Sequence, residues 1–176
     1  VNVAVVGLGF MGVTHLRAYL RLPGIRIAAL CASRHLPENG DFSSVSGNIA
    51  MGEPLRLDMT GVRATRDFDS LLSDPAIDLI DLCVPTPRHV ELATRALRAG
   101  KHVLLEKPPA ATMGEAEALV ALAAEHCAVA AFMPFSMTTS KIFLSFTSCS
   151  PLHTGQRSSG RRFVPLPPQV LHAICI

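Results

Sequence analysis

Three glycines near the start of the chain have the spacing of an anion-binding turn. Gly7, Gly9 and Gly12 form a G-x-G-x-x-G motif, with Phe10 and Met11 before the last glycine, directly after a short apolar run. The first glycine permits a strand-to-helix turn, the second leaves room for a pyrophosphate, and the third lets the helix pack on the strand. Free amides and the positive end of the helix dipole would attract the anion. The motif predicts a dinucleotide site, against the alternative of a plain structural turn.

The residues after the second predicted strand bear on the choice of dinucleotide. An NAD enzyme usually has an acid there that accepts a hydrogen bond from the ribose 2′-hydroxyl. Here Ser33 and Arg34 stand at that place, and the next carboxylate is Glu38. A hydroxyl and a guanidinium suit a 2′-phosphate. We therefore predict NADP as the cofactor. The alternative is NAD, with Arg34 a solvated loop residue.

The glycine turn opens an alternation of strands and helices that extends to about residue 135. Most predicted strands are continuous apolar runs, typical of strands buried on both faces of a parallel sheet. They are Asn2–Val6, Arg26–Cys31, Gly61–Ala64, Leu79–Val84, His102–Glu106 and Ala128–Met133. The predicted helices are Phe10–Leu22, a short helix capped by Asp67 and running through Leu72, His89–Ala99, and one beginning with the capping box of Thr112 and Glu115. This alternation predicts an α/β doubly wound parallel sheet, with Ser33–Thr60 mainly a long loop.

The end of the chain differs in composition from the rest. All 14 acidic residues lie at or before Glu125, the stretch 136–150 is dense in Ser and Thr, and 151–176 has no hydrophobic period. We therefore predict a dinucleotide-binding domain at residues 1–135 and an irregular tail at residues 136–176. We interpret the tail as a truncated or frame-shifted remnant.

Composition argues against several classes of protein. The net charge of +2 is too small for a nucleic-acid or membrane-surface footprint. No apolar run reaches the roughly 18 residues that a membrane-spanning helix needs. The five cysteines are widely spaced and form no C-x-x-C pair, so we expect neither a metal site nor disulfides. A reducing cytoplasm is the expected location.

Three blocks of sequence, in this order and spacing, resemble the Gfo/Idh/MocA oxidoreductases. They are Val5–Gly12, Cys83–His89 and Gly100–Pro108, the last of which ends in the Glu-Lys-Pro signature of that family. The resemblance covers about residues 1–135 and implies a Rossmann-type domain. Members of the family are mostly NAD(P)-dependent enzymes that move a hydride between the nicotinamide and a carbinol carbon of sugars, inositols or related polyols.

The resemblance also implies roles for individual residues. Lys107 would be the catalytic residue that reaches the substrate hydroxyl, where an ammonium stabilises a developing alkoxide. The alternative is that Lys107 and Glu106 are an exposed charged pair at a strand end. The other positions expected near the cofactor are Pro85, Thr86, His89, Glu106 and Pro108. For His89 a capping or packing role is an equal alternative, and His15 is expected to be a partly buried surface histidine.

The same resemblance implies a second half that this sequence does not show. Family members add an α+β domain that carries most substrate contacts, and nothing after Phe135 resembles it. We therefore predict the cofactor-binding part of an NAD(P)-dependent oxidoreductase, with a non-catalytic dinucleotide-binding module or an inactive fragment as the alternative. The expected partners are a small polyol or sugar-like substrate and a second copy or another chain that covers the exposed sheet.

Overall fold

The computed structural model describes residues 1–47 and 53–126, together with the backbone of two short strands at 130–132 and 144–145. Strands and helices alternate through this part of the chain. The strands are β1 Asn2–Val6, β2 Arg26–Cys31, β3 Arg63–Thr65, β4 Leu79–Leu82, β5 His102–Leu105, β6 Ala130–Phe132 and β7 Leu144–Ser145. The helices are α1 Phe10–Tyr19, α2 Phe68–Ser73, α3 His89–Arg98 and α4 Met113–Glu125, with a single 3-10 turn at Thr86–Arg88.

The described strands form one sheet in the order β3-β2-β1-β4-β5-β6-β7. Every neighbouring pair is parallel except β6 and β7. The chain runs outward from β1 to β3 and then returns to start β4 beside β1, which makes the β1–β4 boundary the switch point where open α/β sheets bind ligands. The prediction of a Rossmann-type doubly wound sheet is confirmed.

Several element boundaries differ from the predicted ones. β4 ends at Leu82 and β5 at Leu105, so the residues after them lie in loops at the ligand-binding edge of the sheet. The third strand begins at Arg63 because the preceding Gly61 has a φ of +73° in a turn. Helix α1 ends at Tyr19, where turns with shorter hydrogen-bond spacing replace the helix.

Local capping chemistry fixed other boundaries as predicted. The side chain of Asp67 accepts from the backbone N–H of Asp69 and starts α2. Thr112 and Glu115 form a reciprocal capping box at the start of α4. In each case a side chain satisfies a helix-terminal amide that has no partner within the helix.

The sheet is covered on both faces in the described residues. One apolar cluster packs α2, α3 and α4 on residues such as Val6, Ile80 and Leu105. The other packs α1 on residues such as Val5 and Leu104. Successive residues of β1, β4 and β5 therefore alternate between two cores, which explains why these strands are mostly apolar.

The long segment predicted as a loop carries its own packed side chains. Its described residues contain no helix or strand beyond an isolated bridge between Asp41 and Arg56. Phe42 is 2% exposed, and it joins the cluster around α1 together with Leu36, Leu55 and Leu57. This packing holds the loop against the helix that follows the glycine turn.

Other sequence predictions fall partly outside the described residues. Of the predicted irregular tail, only the backbone of β7 is described, and the sequence analysis assigned no strand there. The remainder of residues 136–176 lies outside the described part of the chain. Among the described helices, none combines the length and the hydrophobicity that a membrane-spanning segment requires.

Candidate functional site

The turn between β1 and α1 requires glycine at two positions. Gly7 has a φ of +91°, and a Cβ built on it would lie 2.4 Å from the carbonyl oxygen of Cys83. A Cβ on Gly12 would lie 2.0 Å from the carbonyl oxygen of Gly7. Both distances are far below contact, so these glycines let β1, β4 and α1 approach one another closely.

Gly9 has a different environment. A Cβ placed there would meet nothing within 4 Å, and its φ of −80° is open to any residue. Gly9 is also the N-cap of α1, with no side-chain cap and no acid in the first turn of the helix. The space in front of Gly9 therefore fits an anionic pyrophosphate, which the helix amides and dipole would attract.

A cleft of about 1100 Å³ opens in front of this turn, at the carboxyl ends of β1, β2 and β4. This volume is slightly above the roughly 300–1,000 Å³ of common small-molecule and cofactor pockets, which leaves room for a ligand as large as a dinucleotide. It brings together seven of the predicted cofactor residues: Gly7, Gly9, Phe10, Met11, Ser33, Arg34 and Pro85. Ser44, Val45 and Ser46 also reach the cleft, from the long loop, and were not predicted from the sequence.

The described residues that line this cleft include three arginines and no acid. Arg34 follows β2 and is exposed to solvent. Arg66 follows β3 and lies 3.3 Å from Glu38, whereas Arg88 pairs with Glu91 at 3.0 Å. Arg66 was not predicted from the sequence, although the sheet topology places a residue directly after the strand beside β2 at the same sheet edge. The cleft wall is therefore suited to a ligand with several negative charges.

The other predicted site residues do not line the cleft. Gly12 lies beneath it against Gly7, and Thr86 begins the 3-10 turn after β4. The remaining four are His89, Glu106, Lys107 and Pro108, and their contact with a cofactor stays a prediction. The structure instead shows how these four are held.

His89 joins the two loops that follow β4 and β5. Its side chain is almost fully buried, with 1% of the residue exposed. Nδ1 lies 2.8 Å from the carbonyl oxygen of Pro108, and Nε2 lies 2.7 Å from the carbonyl oxygen of Val84. His89 thereby joins the last residue of the Glu-Lys-Pro signature to Val84 in the wall of the cleft.

The signature itself combines a buried acid with an exposed lysine. Glu106 is 7% exposed, whereas Lys107 and Pro108 are exposed and joined by a cis peptide bond. The backbone N–H of Lys107 donates to Glu106 Oε2 at 3.1 Å. The alternative of an exposed charged pair at a strand end is therefore correct about the exposure of Lys107 but not about that of Glu106.

Below the signature, His15 lies between two buried carboxylates. Its Nδ1 is 2.8 Å from Asp81 Oδ2, and its Nε2 is 3.1 Å from Glu106 Oε1 in an ion pair without the alignment of a hydrogen bond. Asp81 also accepts from the Tyr19 hydroxyl at 2.8 Å, and Cys83 Sγ lies 3.2 Å from His15 Nδ1. We call these five residues the buried charge cluster.

The expectation that His15 is a partly buried surface residue is wrong. Its exposed fraction is 5%, and that of Asp81 is 0%. A lone acid in an apolar strand must find a partner when buried. Asp81 shares one strand face with Leu79 and Cys83, and this face packs on α1, where His15 stands four residues before Tyr19. This pattern is visible in the sequence and indicates a buried polar pair.

The cluster shifts the protonation of its members. Burial alone would lower the pKa of His15, but the carboxylate of Asp81, with Cys83 and Glu106, raises that pKa far above its usual range. Burial favours the neutral acid at Glu106, yet His15 and then Lys107 lower the pKa of Glu106. Burial and the charge of Asp81 raise the pKa of the Cys83 thiol to about 12, which leaves it a neutral thiol.

His15, Asp81 and Cys83 also have the proximity of metal ligands. One ligand-type atom from each lies within 4.8 Å of the others. Direct hydrogen bonds between these atoms already join His15 to Asp81 at 2.8 Å. In the described residues these three side chains therefore contact one another directly, as members of the charge cluster.

Known proteins resemble the described domain. Residues 1–133 match the Gfo/Idh/MocA family model, described as an oxidoreductase family with an NAD-binding Rossmann fold. The chain is 33% identical over 118 residues to levoglucosan dehydrogenase of Pseudarthrobacter phenanthrenivorans. This match covers 67% of this chain and 29% of that protein. The chain is 31% identical over 118 residues to D-apiose dehydrogenase of Paraburkholderia graminis, covering 67% of this chain and 28% of that protein.

A solved structure agrees with the sequence relatives. GenD2 from gentamicin A biosynthesis, in complex with NAD, matches with a TM-score of 0.60 and 28% identity, over 75% of this chain and 34% of that chain. The chain therefore spans about three tenths of the length of these curated relatives. The residues that the family model matches, 1–133, include the glycine turn and the signature.

Proposed function

Because the chain belongs to the Gfo/Idh/MocA oxidoreductase family and has its NAD(P)-binding Rossmann domain, we propose that it is the cofactor-binding part of an NADP-dependent oxidoreductase acting on a sugar, inositol or related polyol. The observation that carries this proposal is the open space in front of Gly9 at the β1–β4 switch point. An unblocked backbone at a helix N-terminus has the geometry that a pyrophosphate needs.

The charge of the cleft supports NADP over NAD. Ser33 and Arg34 stand after β2, where an acid would otherwise read the ribose 2′-hydroxyl. Arg66 reaches the same cleft from the neighbouring strand end. Two guanidinium groups and a hydroxyl can hold a 2′-phosphate by charge-assisted hydrogen bonds. Arg66 would then exchange its exposed pairing with Glu38 for the phosphate.

The substrate class follows from relatives and from the signature lysine. The two curated relatives described above are named as dehydrogenases of sugars. A bound nicotinamide supplies hydride acceptance, and Lys107 would stabilise the negative charge that develops on the substrate hydroxyl oxygen. Lys107 is an exposed residue just after the carboxyl end of β5, on the edge of the sheet that carries the glycine turn. Its backbone is held on both sides by buried groups.

Calorimetric titration with NADPH and NADH tests the cofactor assignment. We expect the wild-type chain to bind NADPH more tightly than NADH. Gly9→Ala should fold normally and lose roughly tenfold or more of its NADPH affinity, since the added methyl occupies the pyrophosphate position. Gly114→Ala is the matched control, because it also adds a methyl in open space but lies on α4, away from the cleft. Equal affinity of Gly9→Ala and wild type would contradict the site, and tighter NADH binding would contradict the NADP assignment.

Turnover is measured separately with a panel of aldoses, anhydro-sugars and inositols. We expect these 176 residues alone to bind NADPH and to oxidise the sugars and inositols of the panel weakly or not at all. NADP reduction that disappears in Lys107→Met would support the role of the lysine. Binding without any turnover fits the cofactor-binding part of an enzyme and a dinucleotide-binding module equally, so turnover that depends on Lys107 is the result that separates them.

A further inference from the structure

The buried charge cluster contains a histidine whose two ring nitrogens both face carboxylates. A neutral imidazole carries only one N–H, so it can donate on only one side. If Nδ1 donates to Asp81 at 2.8 Å, a neutral ring would place the lone pair of Nε2 at 3.1 Å from a Glu106 oxygen. Two acceptors facing each other in a buried site would repel. An imidazolium donates to Asp81 through Nδ1 and attracts the Glu106 carboxylate as an ion pair, so it opposes both negative charges.

The charges of the cluster also favour a protonated His15. Asp81 and Glu106 bring two negative charges to a region where both residues are less than a tenth exposed. The groups around His15 are Asp81 and Cys83 from β4, Tyr19 from its own helix, and Glu106 after β5. The thiol and the phenol remain neutral near pH 7 because their pKa values are raised. Of the described residues that touch these carboxylates, Lys107 is a cation on the exposed side of Glu106, and His15 is the buried one that lies between Asp81 and Glu106.

We propose that His15, as an imidazolium between Asp81 and Glu106, is a positioning residue that fixes the Glu106 carboxylate and through it the backbone of Lys107. The chain of contacts is continuous: His15 to Glu106 Oε1 at 3.1 Å, then Glu106 Oε2 to the Lys107 N–H at 3.1 Å. Since His15 lies on α1, the helix of the glycine turn, the cluster connects the proposed catalytic lysine to the element proposed to bind the cofactor.

This role rests on the proposed function, because a defined place for Lys107 matters only if that lysine acts on substrate. Its geometry is nevertheless distinct from cofactor binding. His15 does not line the cleft, whereas Cys83 lies both in the cleft wall and in the cluster. The contacts of His15 are made inside the fold and do not require a ligand.

The first test needs no variant. Nitrogen NMR of the histidine side chains in the wild-type chain, with His15 assigned through bonds, reports how many ring nitrogens carry a proton. We expect two protonated nitrogens on His15 from pH 6 through pH 8, where an ordinary histidine of pKa near 6.5 loses one. A neutral His15 ring at pH 7 would overturn the proposal.

The second test separates positioning from simple packing. Amide hydrogen exchange at Lys107 is compared in wild type, His15→Gln, Glu106→Gln and the double variant. We expect Lys107 to exchange roughly tenfold faster in His15→Gln, beyond any change in the amides of β2. In the double variant the Lys107 amide should again be protected from exchange. Glu106→Gln removes the carboxylate that had lost its cation, and the oxygen of the new side-chain amide can still accept from the Lys107 N–H.

The exposed His126→Gln serves as the matched control and should leave Lys107 unchanged. Unchanged Lys107 exchange in a folded His15→Gln, or no rescue in the double variant, would overturn the proposal. NADPH titration of the same samples distinguishes failure of the proposed function from failure of the positioning role of His15. If the wild-type chain does not bind NADPH, the proposed function is contradicted and the NMR result on His15 is unaffected. If the chain binds NADPH but His15 is neutral, only the positioning role is contradicted.

Discussion

Charged side chains are concentrated in two regions of this domain, and the regions differ in solvent exposure: one is buried and the other is exposed. The buried charge cluster packs His15, Asp81 and Glu106 between α1 and the sheet. The cleft wall carries Arg34, Arg66 and Arg88 at the surface, each with access to solvent. Water screens the second set, so individual pairs there contribute little to stability and are available to a ligand. In the first set each charge depends on its partner, so a single change leaves a buried charge uncompensated.

The largest expected difference between the two regions is in stability. Asp81→Asn should lower the free energy of unfolding by about 3–5 kcal/mol, because it leaves the His15 cation without its closest carboxylate. The same change at Asp69, which is exposed and pairs with Arg95, should cost less than about 1 kcal/mol. Urea denaturation of both variants measures the contrast. Similar losses in the two variants would show that burial does not separate the regions.

The pH dependence of stability should isolate His15. Its folded-state pKa is raised, so its contribution is complete below the unfolded pKa of about 6.5 and decreases as the pH rises above that value. The stability difference between wild type and His15→Gln should shrink by up to about 1.4 kcal/mol per pH unit between about pH 7 and pH 9. Urea titrations at these pH values test the slope. A difference that grows with pH would have the wrong sign for a buried imidazolium.

Glycine substitutions should distinguish packing from ligand space within the turn itself. Gly12→Ala should cost about 1–3 kcal/mol in stability, since its Cβ would lie 2.0 Å from a backbone oxygen that cannot move freely. Gly9→Ala meets open space and should leave the thermal midpoint nearly unchanged. Calorimetric melts of the two proteins give the comparison. Equal melting points would mean that the turn adjusts around Gly12.

The smallest expected effect is on cofactor selectivity. Arg34→Ala should weaken NADPH binding by about tenfold, the equivalent of about 1.4 kcal/mol, with NADH affinity and stability unchanged. Arg21→Ala, an exposed arginine after α1, serves as the control. Equal weakening of both dinucleotides by Arg34→Ala would show that Arg34 contacts a part that they share.

The sequence analysis was most accurate where local chemistry decides structure. The spans of β1 and β2 were predicted residue by residue, and the caps at Asp67 and Thr112 were found from side-chain type and spacing. Strand ends were less accurate, as at Leu82, because an apolar residue suits both a strand and the loop packed after it. The surroundings of His15 were missed because its partners are 66 and 91 residues away in the sequence.

By itself, the sequence determined the alternation of elements, the glycine turn and the family blocks, since each depends on residues that are near neighbours along the chain. Only the tertiary structure decided which charges are removed from water. Parallel pairing of β4 with both β1 and β5 brings Asp81 and the end of β5 under the same helix, whereas Ser33 and Arg34 are left at the open edge. Burial depends on what packs across the sheet, and the surrounding dielectric then decides whether a charge stabilises the fold or is available to a ligand.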